Sequence, residues 1–212
     1  RRTHSEDRYM QTQTFAHSQS RRQQAGASLI IVLILLGVMM ALGAGAVQLS
    51  MMGERSARND RDYQVAWQAS EAALVDAELD IDIKNAGTST RMGSFTENNS
   101  IDFLANCGSS GVNKGLCLPN QTGKPVWLAV DFSATDSPSV ELGDFTSSEF
   151  DSGTSGLKPR KKPRYIIEIL TDTASRGDAS IGGDQRYVYR VTAMGFGPRT
   201  DIQAMTQIIY RK

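Results

Sequence analysis

From Ala27 to Val47 the chain carries 21 residues without a single charge. The run is apolar on every side. At about 1.5 Å rise per residue it crosses the roughly 30 Å hydrocarbon core of a bilayer as one helix. A helix also satisfies its own backbone polar groups, which lipid demands. Beyond Gly53 the pattern becomes one-sided. Tyr63, Ala66, Trp67, Ser70, Leu74, Ala77 and Ile81 recur at the helical period and form one face. Arg61, Gln64, Gln68, Glu71, Asp76 and Glu78 form the other. Lys84-Asn85-Ala86-Gly87 reads as a helix stop, so the pattern predicts one helix from about Ser28 to Lys84. Gly37, Gly43, Gly45 and Gly53 weaken it by roughly 1 kcal/mol each relative to alanine in water. In apolar surroundings such small residues also permit close helix packing.

The remainder alternates between irregular and β-like stretches. Residues 91–163 show no sustained period. Within them Val126–Phe132 (VWLAVDF) predicts a strand, and Ile101–Leu104 a short strand or turn. Asp136–Pro159 is rich in Ser, Gly, Thr and Asp and predicts a long loop. Three segments near the C-terminus are β-branched and aromatic: Arg164–Leu170, Tyr187–Met194 and Ile202–Tyr210. Gly195–Asp201 joins the last two as a hairpin, and Thr171–Gln185 is a polar loop between the first two. Three antiparallel strands need cover for their apolar face. The Tyr63–Ile81 stripe supplies it, which predicts an α+β fold with a long N-terminal helix packed on a C-terminal antiparallel sheet.

Charge adds an orientation. The whole chain is neutral, with 23 basic and 23 acidic residues. Residues 1–26 hold five arginines against Glu6 and Asp7, a local excess of +3 that leaves −3 on the chain from Ala27. Positive charge just before an apolar span places that end in the cytoplasm and the bulk of the chain outside. A weakly acidic exterior domain lacks the basic footprint that nucleic acid requires.

The order of parts at the N-terminus narrows the reading. Arg21-Arg22 comes first, then the small Gly26-Ala27 step, then the apolar run. A secretory signal is cut after its apolar run, here at Ala44-Gly45-Ala46, and an uncleaved signal anchor needs no cut. A small-residue step placed before the run resembles the class III leader of type IV pilins. The resemblance implies cleavage by prepilin peptidase between Gly26 and Ala27 and N-methylation of Ala27. Residues 1–26 are then a leader, expected to be disordered, with Met10 a candidate start. The family usually has Glu at the fifth mature position, where this chain has Ile31.

Further segments sharpen the likeness. Arg58–Glu78 (RNDRDYQVAWQASEAALVDAE) resembles the N-terminal signature of PilX-type minor pilins. So does the ending, with Pro163–Leu170, Tyr189–Gly197 and Ile208–Lys212. This implies a low-abundance, non-enzymatic subunit that primes type IV pilus assembly at or near the tip. Its implied partners are the other minor pilins, the major pilin, a PilY1-like tip adhesin, prepilin peptidase and the inner membrane. The GspK-type pseudopilin of type II secretion also lacks the fifth-position Glu, and a membrane-anchored adhesin or binding module is a further alternative. Burying an unpaired Glu in helix packing is costly. A tip subunit has no neighbour above it to pair with such a Glu, and Ile31 avoids that cost.

Little of the chain suggests catalysis, a cofactor or a small-molecule substrate. His4 and His17 both precede Gly26, so the exported part has neither a His triad nor a His-ligated metal site. Asp172, Asp178 and Asp184 are scattered oxygen ligands without the EF-hand spacing, and no Walker or Rossmann glycine motif occurs. Cys107 and Cys117 are the two cysteines of an exported domain, for which a disulfide is the default and two free thiols the rival. The basic run Lys158–Arg164, broken by Pro159 and Pro163, is either a solvated connection or a contact for an acidic partner. The expected organisation is a leader at 1–26, an apolar helix half at 27–53, an amphipathic half at 54–85, and a globular head at 86–212.

Overall fold

The computed structural model describes residues 27–82, 89–96, 100–172 and 186–212. The leader, Gly26, the expected helix stop at 84–87 and most of the 171–185 loop lie outside them. The first element is the helix α1, Ala27–Ile81. It contributes to two units of the chain, one ending at Met52 and the other running from Gly53 to Lys212. In the first unit α1 is the described structure, and every described side chain on it is exposed.

The second unit joins the rest of α1 to a mixed sheet. Its strands are β1 (Leu116–Cys117), β2 (Val140–Glu141), β3 (Arg164–Thr171), β4 (Tyr187–Phe196) and β5 (Gln203–Tyr210). The order is β1-β3-β4-β5, with β2 also on β3. β3 and β4 run antiparallel from Arg164↔Met194 to Thr171↔Tyr187, and β4 and β5 from Tyr189↔Tyr210 to Phe196↔Gln203. These are the three segments that β-branched and aromatic residues mark in the sequence. The outer edge of β3 corrects the all-antiparallel expectation. β1 pairs there in parallel (Leu116↔Ile167), and β2 antiparallel (Val140↔Tyr165). Two-residue strands carry no periodicity of their own, and the route of the chain sets their direction.

Val126–Phe132 is not a strand. Val126–Ala129 forms one helical turn, α2, after Pro125. Ala129 and Val130 donate their backbone N–H groups to the carbonyls of Pro125 and Val126 at 3.1 and 3.0 Å. A proline presets the φ of a first turn, and a short apolar run cannot by itself distinguish strand from helix. Val126, which opens this turn, and Phe132, three residues beyond it, are nonetheless buried.

Side-chain alternation along β3 and β4 sends apolar groups to both faces. On one, Ala73, Leu74, Ala77 and Ile81 of α1 meet Ile167, Ile169, Tyr189 and Val191, with Phe95 and Phe103 filling the end. Phe95 meets Tyr189 edge-on with ring centres 5.5 Å apart, a favoured aromatic geometry. On the other face, Ile166 and Phe196 pack with Cys107, Cys117, Val126 and Phe132.

Candidate functional site

The helix presents its small residues to the sheet. Ala66, Ser70, Leu74, Ala77 and Ile81 of the expected face are buried, together with Ala69 and Ala73. Tyr63 and Trp67 are not: they stay 49% and 42% exposed. The reason is the closeness of the backbones. A Cβ at Gly195 of β4 would sit 2.0 Å from the carbonyl oxygen of Ala66 and 2.4 Å from the nitrogen of Ser70. At that separation only small side chains fit, so the two aromatics lie on the flank. There their rings are 6.5 Å apart, and the Trp67 indole donates to Glu71 at 2.7 Å.

Asp76, expected on the outer face, is buried. Its carboxylate accepts from the Gly143 N–H at 2.9 Å and from the Thr146 hydroxyl, which ties the 143–148 turn to the helix. One turn later Asp80 is also buried. Arg91 donates from Nε to both oxygens of Asp80 at 3.0 and 2.9 Å and from Nη2 to one of them. Ser89 and Tyr165 donate their hydroxyls to the same carboxylate, each at 2.9 Å. The remaining Arg91 nitrogen, Nη1, reaches the carbonyls of Lys114 and Val112 at 2.5 and 3.2 Å, and the guanidinium lies 3.8 Å from the centre of the Phe145 ring. A buried charge pair is tolerable when its remaining donors and acceptors are met in this way. Burial, then the neighbouring Asp80 charge, push the Tyr165 hydroxyl well above its ordinary pKa. Periodicity could have exposed this cluster: Asp80 follows the buried Ala73 at i+7, and Asp76 follows the buried Ala69 at i+7.

Cys107 and Cys117 form a disulfide. It closes the 107–117 loop, where Gly108 within it and Leu104 just before it both donate N–H groups to the Leu116 carbonyl, at 3.1 and 3.2 Å. Asn106 and Cys107 take φ of 61° and 66°, the left-handed region. Cys117 then leads β1 onto the sheet beside Glu168, whose carboxylate is buried and bound by Arg190 at 2.9 and 2.8 Å.

The apolar half of α1 has different chemistry. Leu29 to Leu36 are each 55–65% exposed, and Ile31 is 57% exposed. A Cβ on Gly37, Gly43 or Gly45 would meet nothing within 4 Å. So continuous an apolar surface is a membrane or protein contact, because water tolerates only small patches of this kind. Ala27 is the first helical residue, one position after Gly26. Among the described residues no group of three His, Cys, Asp or Glu side chains is placed to hold a metal. Of the three loop aspartates, Asp172 is described and accepts from Arg211 at 3.2 Å; Asp178 and Asp184 lie outside the described residues.

Two family models match the chain. One, described as PilX N-terminal, covers residues 25–75, and the other, type IV pilus assembly protein PilX C-term, covers residues 113–212. The first takes in the apolar run and most of the amphipathic half of α1. The second takes in all five strands and Cys117, but not Cys107. No curated protein and no solved structure gives a match.

Proposed function

Because this chain belongs to the PilX family of type IV pilus assembly proteins, we propose that it is a minor pilin, structural rather than catalytic, that helps to prime the filament at its tip. The observation that carries this reading is the match that starts at Ala25. It begins beside the Gly26-Ala27 step and runs through the exposed apolar half of α1. Prepilin peptidase cuts between Gly26 and Ala27, and Ala27 becomes the methylated N-terminus. Before assembly the apolar half holds the subunit in the inner membrane as a single pass, with the N-terminus cytoplasmic and the head periplasmic. During assembly the same surface passes from lipid to the helices of neighbouring subunits. That exchange costs little, because both environments are apolar.

The tip position rests on Ile31. A fifth-position Glu gains from a neighbour's N-terminal ammonium, and the first subunit of a filament has no such neighbour above it. Other minor pilins, the major pilin and a PilY1-like adhesin are the partners this position calls for. The GspK-like reading shares Ile31, but the two PilX matches favour the pilus.

The test is the intact mass of protein extracted from the membrane, with pilus counts by electron microscopy. A methylated Ala27 terminus is expected, as is sharp loss of pili when the gene is deleted. An N-terminus at Val47 overturns the pilin reading. Normal pilus numbers after deletion overturn priming, and full function of Ile31→Glu removes the tip argument.

A further inference from the structure

We infer that the cleft between the proline-bracketed basic segment and the β4–β5 turn is a docking site for an acidic peptide segment of a partner protein. The cleft holds about 200 Å³. Arg160, Lys161 and Arg199 line it with Ser133 and Gln203, and Phe196 lines it too, only 5% exposed. Phe196 belongs to the core beneath, and cations around a small, mostly apolar cleft suit a ligand that brings carboxylates and an apolar side chain together.

The basic segment is held in place, unlike a solvated connection. Pro159 and Pro163 fix φ on either side of Arg160, Lys161 and Lys162. The Pro159 carbonyl accepts from Gly153 at 2.9 Å, the Arg160 N–H donates to Gly197 at 3.0 Å, and the Pro163 carbonyl accepts from Leu142 at 3.0 Å. Lys161 is held as well: its ammonium donates to the Ser133 carbonyl at 3.1 Å and lies 5.8 Å from the Phe196 ring centre. Gln203 donates to the Ser133 hydroxyl at 3.1 Å and closes the wall. A cation fixed before binding, as Lys161 is, loses less entropy when a ligand arrives.

The local acids leave positive charge over. Asp201 is taken up by Arg199, at 2.6 and 3.2 Å, and Lys158 by Asp151, at 2.6 Å. The exposed Arg160 side chain has no acceptor among the described residues. A planar guanidinium with free donors is a bidentate carboxylate receptor. Nucleic acid fits less well. It needs a row of phosphate contacts, whereas these cations converge on one small cleft of a chain that carries −3 from Ala27 onward.

The experiment uses the full chain in nonionic detergent micelles, titrated with the peptide acetyl-Gly-Glu-Phe-Asp-Gly-amide, a sequence this chain does not itself contain, and followed by NMR. Saturable binding is expected, weakened about tenfold by Arg160→Ala and by added salt, and unchanged by Lys124→Ala. The same peptide with Gln and Asn for its acids should not bind. Equal binding of that uncharged peptide, no response to Arg160→Ala, no saturable binding, or tighter binding of a short DNA duplex would each overturn the proposal. These outcomes are read on purified protein, so they stand apart from pilus counts and from the position of the subunit in a filament.

Discussion

Arg91 and Asp80 face each other with both side chains wholly removed from solvent. One lies on the long helix and the other just past its end, eleven positions later. Tyr165 of β3 donates to the same carboxylate at 2.9 Å. A single acid on the helix therefore joins three parts of the head: α1, the segment after it and the central sheet.

Breaking this pair from one side leaves an uncompensated buried charge, which costs about 3–5 kcal/mol. Arg91→Ala is expected to destabilise the head by that amount. Asp80→Leu combined with Arg91→Met should cost much less than the two single changes added together. Urea unfolding of the full chain in micelles measures all three variants. Additive losses would show that the two side chains act independently.

Tyr165 links this cluster to pH. Its pKa is raised in the folded protein, chiefly by burial and then by Asp80, while in the unfolded chain it is about 10. The folded state therefore holds the proton over a range where the unfolded state has lost it. The associated stability is complete below pH of about 10 and is lost as pH rises from there toward the folded pKa. Tyr165→Phe should cost about 1.5–3 kcal/mol at neutral pH, through the lost bond to a carboxylate, and should flatten the alkaline decline. Stability curves for both proteins across the alkaline range decide this. An equally steep decline in the variant would assign the effect to other groups.

Gly195 sets how near the sheet comes to the helix. The atoms its missing Cβ would strike belong to the backbone of Ala66 and Ser70, which cannot swing aside. Gly195→Ala is expected to destabilise by about 1–3 kcal/mol through overpacking. Gly153→Ala is a control, because a Cβ there meets nothing within 4 Å. Thermal unfolding should separate the two variants, and equal behaviour would show that the contact yields freely.

The disulfide is expected to stabilise by about 2–4 kcal/mol. Peptide mapping without reductant should give one cross-linked pair containing Cys107 and Cys117, and the double alanine variant should unfold at lower urea concentration. An unchanged midpoint would mean that the hydrogen bonds of the 104–118 loop hold it without the bridge.

The apolar run from Ala27 to Val47, the amphipathic phase from Tyr63 to Ile81 and the strands β3 to β5 were legible in the sequence by itself. Each is long enough for its pattern to show, and each pattern has a single physical cause, the exclusion of apolar side chains from water. The cysteine pairing was legible for a different reason: two cysteines in a chain allow only one pairing within it. What only the tertiary structure decided is where long-range approach overrides local pattern. Gly195 brings β4 so near to α1 that Ala66 and Ala69 face the sheet while Tyr63 and Trp67 remain outside. The helical phase allows Asp76 and Asp80 to be buried, but the groups that satisfy them there, Thr146, Arg91 and Tyr165, arrive from distant segments. β1 and β2 are too short to leave a pattern, and the short apolar run of α2, which alone fits strand or helix, turns as a helix after Pro125. Local sequence fixes the period of an element. Which residues on it meet a partner depends on distances that only the folded chain sets.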